Sequence, residues 1–150
     1  MKAVIQRVKN ASVVVNGNVI SEIKQGMLLL LGVAENDSSE DINWMSRKIA
    51  NLRIFNDENG VMNKSLLDIN GEAIVVSQFT LQASTKKGNR PSYLKAAKPE
   101  IAIPLYQEFV HQFEKEIDKK VQTGEFGADM KVELLNDGPV TIIIDTENKV

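Results

Sequence analysis

The stretch from Ala73 to Ser84 constrains the fold more than any other part of this sequence. It begins with four apolar residues, three of them β-branched, which is typical of a buried β-strand. Ser77, Gln78 and Thr80 then stand where a hydrophobic run would be expected to continue. Buried hydroxyls and amides that lack partners cost free energy. These polar groups therefore either bond neighbouring main chain at a strand end or serve a function, and the stretch alone leaves both readings open.

The rest of the chain predicts one α+β domain over residues 1–150. Short β-rich segments are separated by polar turns, and we expect strands at 3–8, 11–15, 19–23, 27–33, 53–55, 132–135 and 140–144. Asn16-Gly17 predicts a hairpin turn between the second and third of these segments. A helix is expected after Ser38, and the longest helix is expected from Pro99 to Gly124, with Val121 on its apolar stripe.

The composition points to the cytoplasm and away from membranes. The sequence contains no cysteine, which excludes disulfides and thiolate nucleophiles and is typical of a reducing compartment. We find no apolar core of a signal peptide, and no run that approaches the ~20 apolar residues of a membrane span. We therefore expect a cytoplasmic protein.

A cluster of positive charge follows the Ala73–Ser84 stretch. The formal net charge of the chain is −2, which does not by itself indicate a nucleic-acid partner. Between positions 82 and 99, however, the chain carries five cations and no acidic residue, namely Lys86, Lys87, Arg90, Lys95 and Lys98. Such a segment is either a solvated loop or a loop that contacts phosphates.

Familiar catalytic constellations are absent from the sequence. His111 is the only histidine, and its place on the long helix predicts an exposed side chain. A Ser-His-Asp arrangement could be built only through it. We find no phosphate-binding glycine loop, no dinucleotide fingerprint and no cluster of metal ligands, so we expect neither a cofactor nor a metal site. An enzyme of this composition must use main-chain dipoles, hydroxyls and groups of its own substrate.

Gly138-Pro139 is a second local feature that suits chemistry of this kind. An X-Pro bond is the only peptide bond that adopts cis at appreciable frequency, about 5–6% in folded proteins. Gly138 also gives room for close approach of a ligand. A plain trans turn is the alternative.

Two motifs together resemble those of the D-aminoacyl-tRNA deacylases, also called D-tyrosyl-tRNA deacylases. The motifs are Ser77-Gln78-Phe79-Thr80-Leu81 and Asn136-Asp137-Gly138-Pro139-Val140-Thr141, and further matches lie at 6–8, 53–55, 88–92 and 124–130. The resemblance runs nearly the whole length of the chain. It implies a twisted, mostly antiparallel, barrel-like β-sheet packed with two main helices.

The resemblance also implies a function in translation quality control. A homodimeric hydrolase of this family cleaves the ester between a D-amino acid and the terminal ribose of tRNA. Gly138-Pro139, expected to be cis and to reach the partner subunit's active site, would exclude L side chains, with Val140, Thr141 and Arg7 supporting this segment. Glycyl-tRNA, including glycine mischarged on tRNA-Ala, should be accepted because glycine has no side chain to exclude.

Further site residues follow from the same resemblance. Ser77, Gln78, Phe79 and Thr80 would form the catalytic wall, with the N–H groups of Phe79 and Thr80 binding the ester carbonyl or its oxyanion. Thr80 could act as nucleophile, but no base is available to activate it, and we prefer water attack assisted by the ribose 2′-hydroxyl. The adenosine pocket would contain Phe126 and Met130. Contacts to tRNA phosphates would come from Lys86, Lys87 and Arg90.

Two other functional classes remain open at this point. An RNA-binding module without catalysis would keep the basic loop but show no turnover. A small-molecule enzyme of similar size, such as an enamine/imine deaminase, would need polar groups for a free metabolite and should be insensitive to salt. Neither class accounts for both motifs.

Overall fold

One long strand connects the two parts of the sheet in the computed structural model, which describes residues 1–149. The first half of β1 (Lys2–Val15) pairs antiparallel with β3 (Gly26–Gly32), and the second half pairs antiparallel with β2 (Asn18–Ile23). Along its other edge β1 pairs antiparallel with β8 (Lys131–Asp145). Register shifts around Arg7 to Asn10 let β1 bend without ending, as extra residues in a strand commonly do.

The centre of the sheet is a parallel pair. β3 runs parallel to β6 (Glu72–Ser77), which in turn runs parallel to the short β7 (Gln122–Thr123). β3 is apolar on both faces, as predicted, because core clusters cover both sides of it. Two short strands, β4 (Phe55–Asn56) and β5 (Met62–Lys64), form a separate antiparallel pair.

Two helices cover one face of the central strands. α1 (Ser39–Ala50) and α2 (Pro99–Ile117) contribute Met45, Phe109 and Phe113 to the core that contains Leu29 and Val75. A second apolar cluster lies on the opposite face, because successive side chains of a strand point to opposite sides. It contains Val8, Val13, Leu28, Ile74 and Val76. The expected fold class, a single compact α+β domain with a barrel-like sheet and two main helices, is confirmed.

Several predicted details of the chain are also confirmed. Asn16 and Gly17 have φ of 50° and 76°, the positive pair that a tight hairpin turn requires. Ser38 is the N-cap of α1, where its N–H donates to the Asp41 carboxylate over 2.9 Å. Pro99 occupies the first turn of α2.

The predicted boundaries were wrong at four places. Segments 3–8 and 11–15 form one strand, and 132–135 and 140–144 also form one, because bulges absorb the polar residues between them. The strand expected at 53–55 begins only at Phe55. α2 ends at Ile117 rather than near Gly124, because Asp118 takes a left-handed conformation with φ of 50°. Val121 is buried, but it packs into the core from outside the helix.

Candidate active site

A cleft of about 530 Å³ opens at the carboxyl ends of β3 and β6. Ligands commonly bind beyond the carboxyl ends of parallel strands, where loops diverge. The ends of β3 and β6, the start of α2 and the loop before β8 supply its walls. The lining residues that bear on function are Ser77, Gln78, Phe79, Tyr93, Phe126 and Met130.

The polar wall of the cleft is the end of β6. The N–H of Gln78 donates to the carbonyl of Leu31 over 2.8 Å, which ties the polar residues to the end of β3. The chain then enters a short 3-10 helix, Phe79–Gln82, whose first hydrogen bond runs from the N–H of Leu81 to the carbonyl of Gln78. Phe79 and Thr80 come before Leu81 in the chain, so their N–H groups are not used by the hydrogen bonds of the 3-10 helix. Neither N–H donates to an acceptor within residues 1–149. They are available to bind an oxygen that gains negative charge.

Thr80 lies beside the cleft rather than among its lining residues. Its Oγ1 accepts a hydrogen bond of 2.5 Å from the Gln78 side-chain amide. The next glutamine, Gln82, is buried and donates to the carbonyl of Gly32 over 2.9 Å. The two glutamines therefore fix the 3-10 helix at both of its ends.

The apolar wall of the cleft contains Phe126 and Met130. The Phe126 ring meets the Tyr106 ring edge to face, with centroids 6.0 Å apart. The Tyr106 hydroxyl donates to the carbonyl of Val75 over 2.7 Å, and burial raises the pKa of this phenol to about 12. Tyr106 therefore remains a neutral donor that supports Phe126. The wall that results suits a flat apolar group such as a base.

Gly138 and Pro139 lie away from the cleft of their own chain. The Gly138-Pro139 bond is cis, and both residues are exposed. Arg7, the β1 residue next to this segment, pairs in register with Met27 at the start of β3. The cleft residue Leu31 lies at the other end of β3. Four residues of strand correspond to about 13 Å. Within one chain, therefore, the structure does not join this segment to the residues at the end of β6.

Arg7 holds the Gly138-Pro139 segment in place. Its guanidinium is buried and donates to three acceptors, which are the carbonyl of Asp137 at 2.8 Å, the carbonyl of Ile54 at 2.7 Å and Oδ1 of Asn56 at 3.2 Å. Neither Ile54 nor Asn56 was predicted to hold Arg7, because nothing local in the sequence connects them to it.

The residues on both sides of Gly138-Pro139 are also tied together. Asn136 Oδ1 accepts from the N–H of Val140 over 2.9 Å, and Asn136 Nδ2 donates to the hydroxyl of Thr141 over 3.0 Å. The place of Asn136 at the start of its motif was the signal that could have identified it as a site residue.

The basic loop lies in the chain between Phe79 and Tyr93, which both line the cleft. Two main-chain hydrogen bonds between Ser84 and Ser92, of 2.8 and 2.9 Å, close its base. Lys86, Lys87 and Arg90 are exposed and form no ion pair within the described chain. Tyr93 follows directly, and its ring packs on the ring of Phe79, a contact that no sequence pattern predicts.

The cleft has no imidazole. His111 is exposed on α2, as predicted, and does not line the cleft. Asp129, the one carboxylate among the lining residues, is paired with Lys131 at 3.1 Å. Across residues 1–149, no three His, Asp or Glu side chains are grouped to hold a metal ion. In the same residues, no helix is both long and apolar enough to cross a membrane. At the end of β6, the groups at hand for chemistry are main-chain N–H donors, hydroxyls and amides.

Comparisons with known proteins agree over nearly the whole chain. The family model described as D-Tyr-tRNA(Tyr) deacylase matches residues 4–145. Proteins named D-aminoacyl-tRNA deacylase from Flavobacterium psychrophilum and Bacteroides fragilis are 68% and 65% identical, each over 99% of both chains. A solved structure named c-Myc DNA Unwinding Element Binding Protein is 44% identical over 97% of this chain and 99% of that one, with a TM-score of 0.91.

Proposed function

The chain belongs to the D-Tyr-tRNA(Tyr) deacylase family, and we propose that the cleft at the ends of β3 and β6 is its active site. The chain is an enzyme that hydrolyses the ester of D-aminoacyl-tRNA, releasing the D-amino acid and free tRNA. One observation carries the assignment of the site. The polar side chains of Ser77 and Gln78 line the same cleft as the apolar side chains of Phe126 and Met130.

The terminal adenosine would lie against the apolar wall, and the ester would reach the polar one. Water attacks the ester carbonyl carbon, and the tetrahedral oxyanion that forms is bound by the N–H groups of Phe79 and Thr80. Collapse breaks the bond to the ribose oxygen, which takes the proton lost by the water through the neighbouring ribose hydroxyl. This route requires no base from the protein.

Thr80 is assigned an orienting role rather than that of a nucleophile. The neighbour of its hydroxyl is the amide of Gln78, and an amide is not a base. His111 is exposed on α2 and does not line the cleft. A threonine hydroxyl without a base is a poor nucleophile, whereas the same hydroxyl can hold a water or the ribose by hydrogen bonds.

We propose that Gly138 and Pro139 act in the cleft of a second copy of this chain. The exposure of the segment and its distance from its own cleft support this arrangement. β8 also offers a surface for a second copy, since Leu135 and Ile143 are 54% and 70% exposed. Exposed apolar side chains on an edge strand favour pairing with another chain.

Chiral selection would follow from the main chain of that segment. Carbonyl groups of Gly138 and Pro139 would contact the α-amino group of the substrate and leave no space for an L side chain. A site that reads only the amino group and the α-hydrogen tolerates many D side chains. It would also accept glycine, including glycine mischarged on tRNA-Ala.

The basic loop would contact tRNA, and the enzyme would act in the cytoplasm. Lys86, Lys87 and Arg90 are exposed and form no ion pair in the described chain, which suits phosphate contacts. A second candidate function, nucleic-acid binding without hydrolysis, is favoured by this loop together with the name of the 44% identical structure, c-Myc DNA Unwinding Element Binding Protein.

The decisive experiment compares hydrolysis of matched D- and L-tyrosyl-tRNA by the purified protein, with spontaneous ester loss subtracted. We expect rapid release of D-tyrosine and background release of L-tyrosine. Equal background loss from both esters, with tRNA binding retained, would support the binding function instead.

A further inference from the structure

Two exposed aromatic rings stand at the mouth of the cleft. The rings of Phe79 and Tyr93 meet edge to face, with centroids 5.1 Å apart and planes at 74°. Phe79 is 56% exposed and Tyr93 is 39% exposed, and both line the cleft. Large apolar side chains that are exposed beside a binding site commonly serve a ligand. The catalytic scheme uses the main-chain N–H of Phe79 but leaves both rings unexplained.

The scaffold around the two rings is fixed by main-chain contacts. The paired hydrogen bonds between Ser84 and Ser92 return the chain to Phe79 after the basic loop. The carbonyl of Tyr93 accepts from the N–H of Ala96 over 3.0 Å, and the N–H of Ala97 donates to the carbonyl of Val33 over 3.0 Å. The aromatic pair is therefore held at the rim of the cleft before any ligand arrives.

We propose that Phe79 and Tyr93 form a stacking platform for the unpaired base that precedes the terminal adenosine of tRNA. The proposal rests on the proposed function of the cleft. A cleft of about 530 Å³ is of the size that holds one drug-sized ligand, here the terminal nucleoside with its amino acid. The preceding nucleotides must leave through the mouth, where these rings stand. Proteins recognise unpaired nucleotides chiefly by stacking their bases on aromatic side chains.

The charge around the platform also favours a nucleic-acid strand. In the chain, Tyr93 is preceded by Lys86, Lys87 and Arg90 and followed by Lys95 and Lys98, and within residues 1–149 none of the five forms an ion pair. A polyanion neutralises such a cluster. A second copy of the same loop would instead bring like charges together. A strand with stacked bases and outward phosphates satisfies both the rings and the cations.

The test uses two substrates that differ only in what lies beyond the terminal nucleoside. These are D-tyrosyl-tRNA and the minimal ester D-tyrosyl-adenosine. We expect Tyr93→Ala to lower kcat/KM for the tRNA ester about 5- to 100-fold. Its kcat/KM for the minimal ester should stay within about twofold of the value for the parent protein. Tyr93→Phe should retain activity on both. Leu94→Ala is the matched control, because Leu94 lies on the same segment and is 91% exposed.

Each other outcome has a definite meaning. An equal loss on both substrates would assign Tyr93 to support of the catalytic loop and overturn the platform, and an unchanged rate on both would also overturn it. If the parent protein hydrolyses neither ester, the proposed function fails. The platform is then tested alone, by calorimetric binding of a single-stranded RNA tetranucleotide ending in CCA. Weaker binding by Tyr93→Ala than by Leu94→Ala supports the platform, and equal binding overturns it.

Discussion

The guanidinium of Arg7 holds the main-chain carbonyl of Asp137, with Nε of Arg7 2.8 Å from that oxygen. The two residues lie 130 positions apart in the chain. Their contact fixes the main chain immediately before Gly138, so a buried side chain of β1 sets the position of an exposed segment of β8. Stability of the fold and geometry of the proposed selective segment therefore depend on the same side chain.

Replacement of Arg7 by lysine should weaken both properties. Lysine keeps the charge but cannot match the fixed fork that reaches Asp137, Ile54 and Asn56. We expect the free energy of unfolding to fall by about 2–4 kcal/mol and the ratio of D- to L-ester hydrolysis to fall at least tenfold. Urea unfolding and matched tRNA esters measure the two effects.

The matched control is Arg53→Lys. Arg53 is exposed and makes a similar pair of bonds, of 2.9 and 2.8 Å, to Asn63 outside the site. This variant should keep its stability within about 1 kcal/mol and its discrimination unchanged. Folded Arg7→Lys protein with the parental D-to-L ratio would show that Arg7 does not position the selective segment.

Gly138→Ala should reduce activity, because the added Cβ would collide with neighbouring atoms and displace the Gly138-Pro139 segment. A Cβ there would lie 2.8 Å from Val140 Cγ2 and 3.0 Å from Nη2 of Arg7, and the φ of 138° is one that L side chains rarely adopt. We expect kcat/KM for the D-ester to fall at least tenfold. Gly17→Ala is the control, since its φ is 76° and its Cβ would meet nothing within 4 Å. Gly17→Ala should lose about 1 kcal/mol of stability and Gly138→Ala should lose more, but only Gly138→Ala should lose activity.

The sequence allowed prediction of those parts of the site that are local in the chain. The apolar run before Ser77 predicted a buried strand, and Ser77 and Gln78 lie at its end and line the cleft, whereas Thr80 lies beside the cleft. Composition alone gave no reason to place Phe126 and Met130 in the same cleft, since they come from a loop near 50 positions away. Their assignment came from the resemblance to a family.

Contacts that depend on the whole fold could not be predicted. Tyr93 returns to Phe79 only because main-chain bonds between Ser84 and Ser92 close the basic loop. Val121 continued the helical spacing of α2, yet Asp118 ends the helix and Val121 is buried from a loop. Spacing reports which side chains are apolar, but the tertiary structure decides which element buries them.

Salt dependence should report the contribution of the basic loop. If Lys86 and Lys87 contact tRNA phosphates, Lys86→Gln/Lys87→Gln should raise KM for the tRNA ester and flatten the slope of log(kcat/KM) against log[salt] by about 1–2. The control pair is Lys24→Gln/Lys115→Gln, two exposed cations elsewhere on the surface. An identical slope in both double variants and the parent would exclude phosphate contacts by Lys86 and Lys87.

Tyr106 should make stability fall at alkaline pH. Burial raises the pKa of its phenol from 10.0 to about 12, so folding favours the protonated form. The contribution of this pKa shift to the free energy of unfolding does not reduce stability below pH 10. As the pH rises from 10 towards 12, stability falls, because Tyr106 releases its proton in the unfolded chain before it does so in the folded one. Tyr106→Phe should be about 1 kcal/mol less stable at pH 8, where its hydrogen bond to Val75 is lost. Urea unfolding measures the difference in free energy of unfolding between the parent protein and Tyr106→Phe. This difference should be smaller at pH 11 than at pH 8, or reversed in sign, whereas an equal difference at both pH values would contradict the shifted pKa of Tyr106.

Hydrolysis of a substrate that lacks the ribose 2′-hydroxyl should separate the two possible roles of Thr80. A nucleophilic Thr80 would attack an ester on 2′-deoxyadenosine as well, whereas water attack assisted by the 2′-hydroxyl would not proceed efficiently. We expect D-tyrosyl-tRNA ending in 2′-deoxyadenosine to lose at least 10²-fold in kcat, and Thr80→Val to lose only about tenfold on the ordinary ester. Thr80→Val also removes the acceptor for the Gln78 amide, so Gln78→Leu is the control for that lost contact. Normal turnover of the deoxy substrate, together with complete inactivity of Thr80→Val, would restore Thr80 as the nucleophile and require a base in place of the Gln78 amide that bonds its hydroxyl.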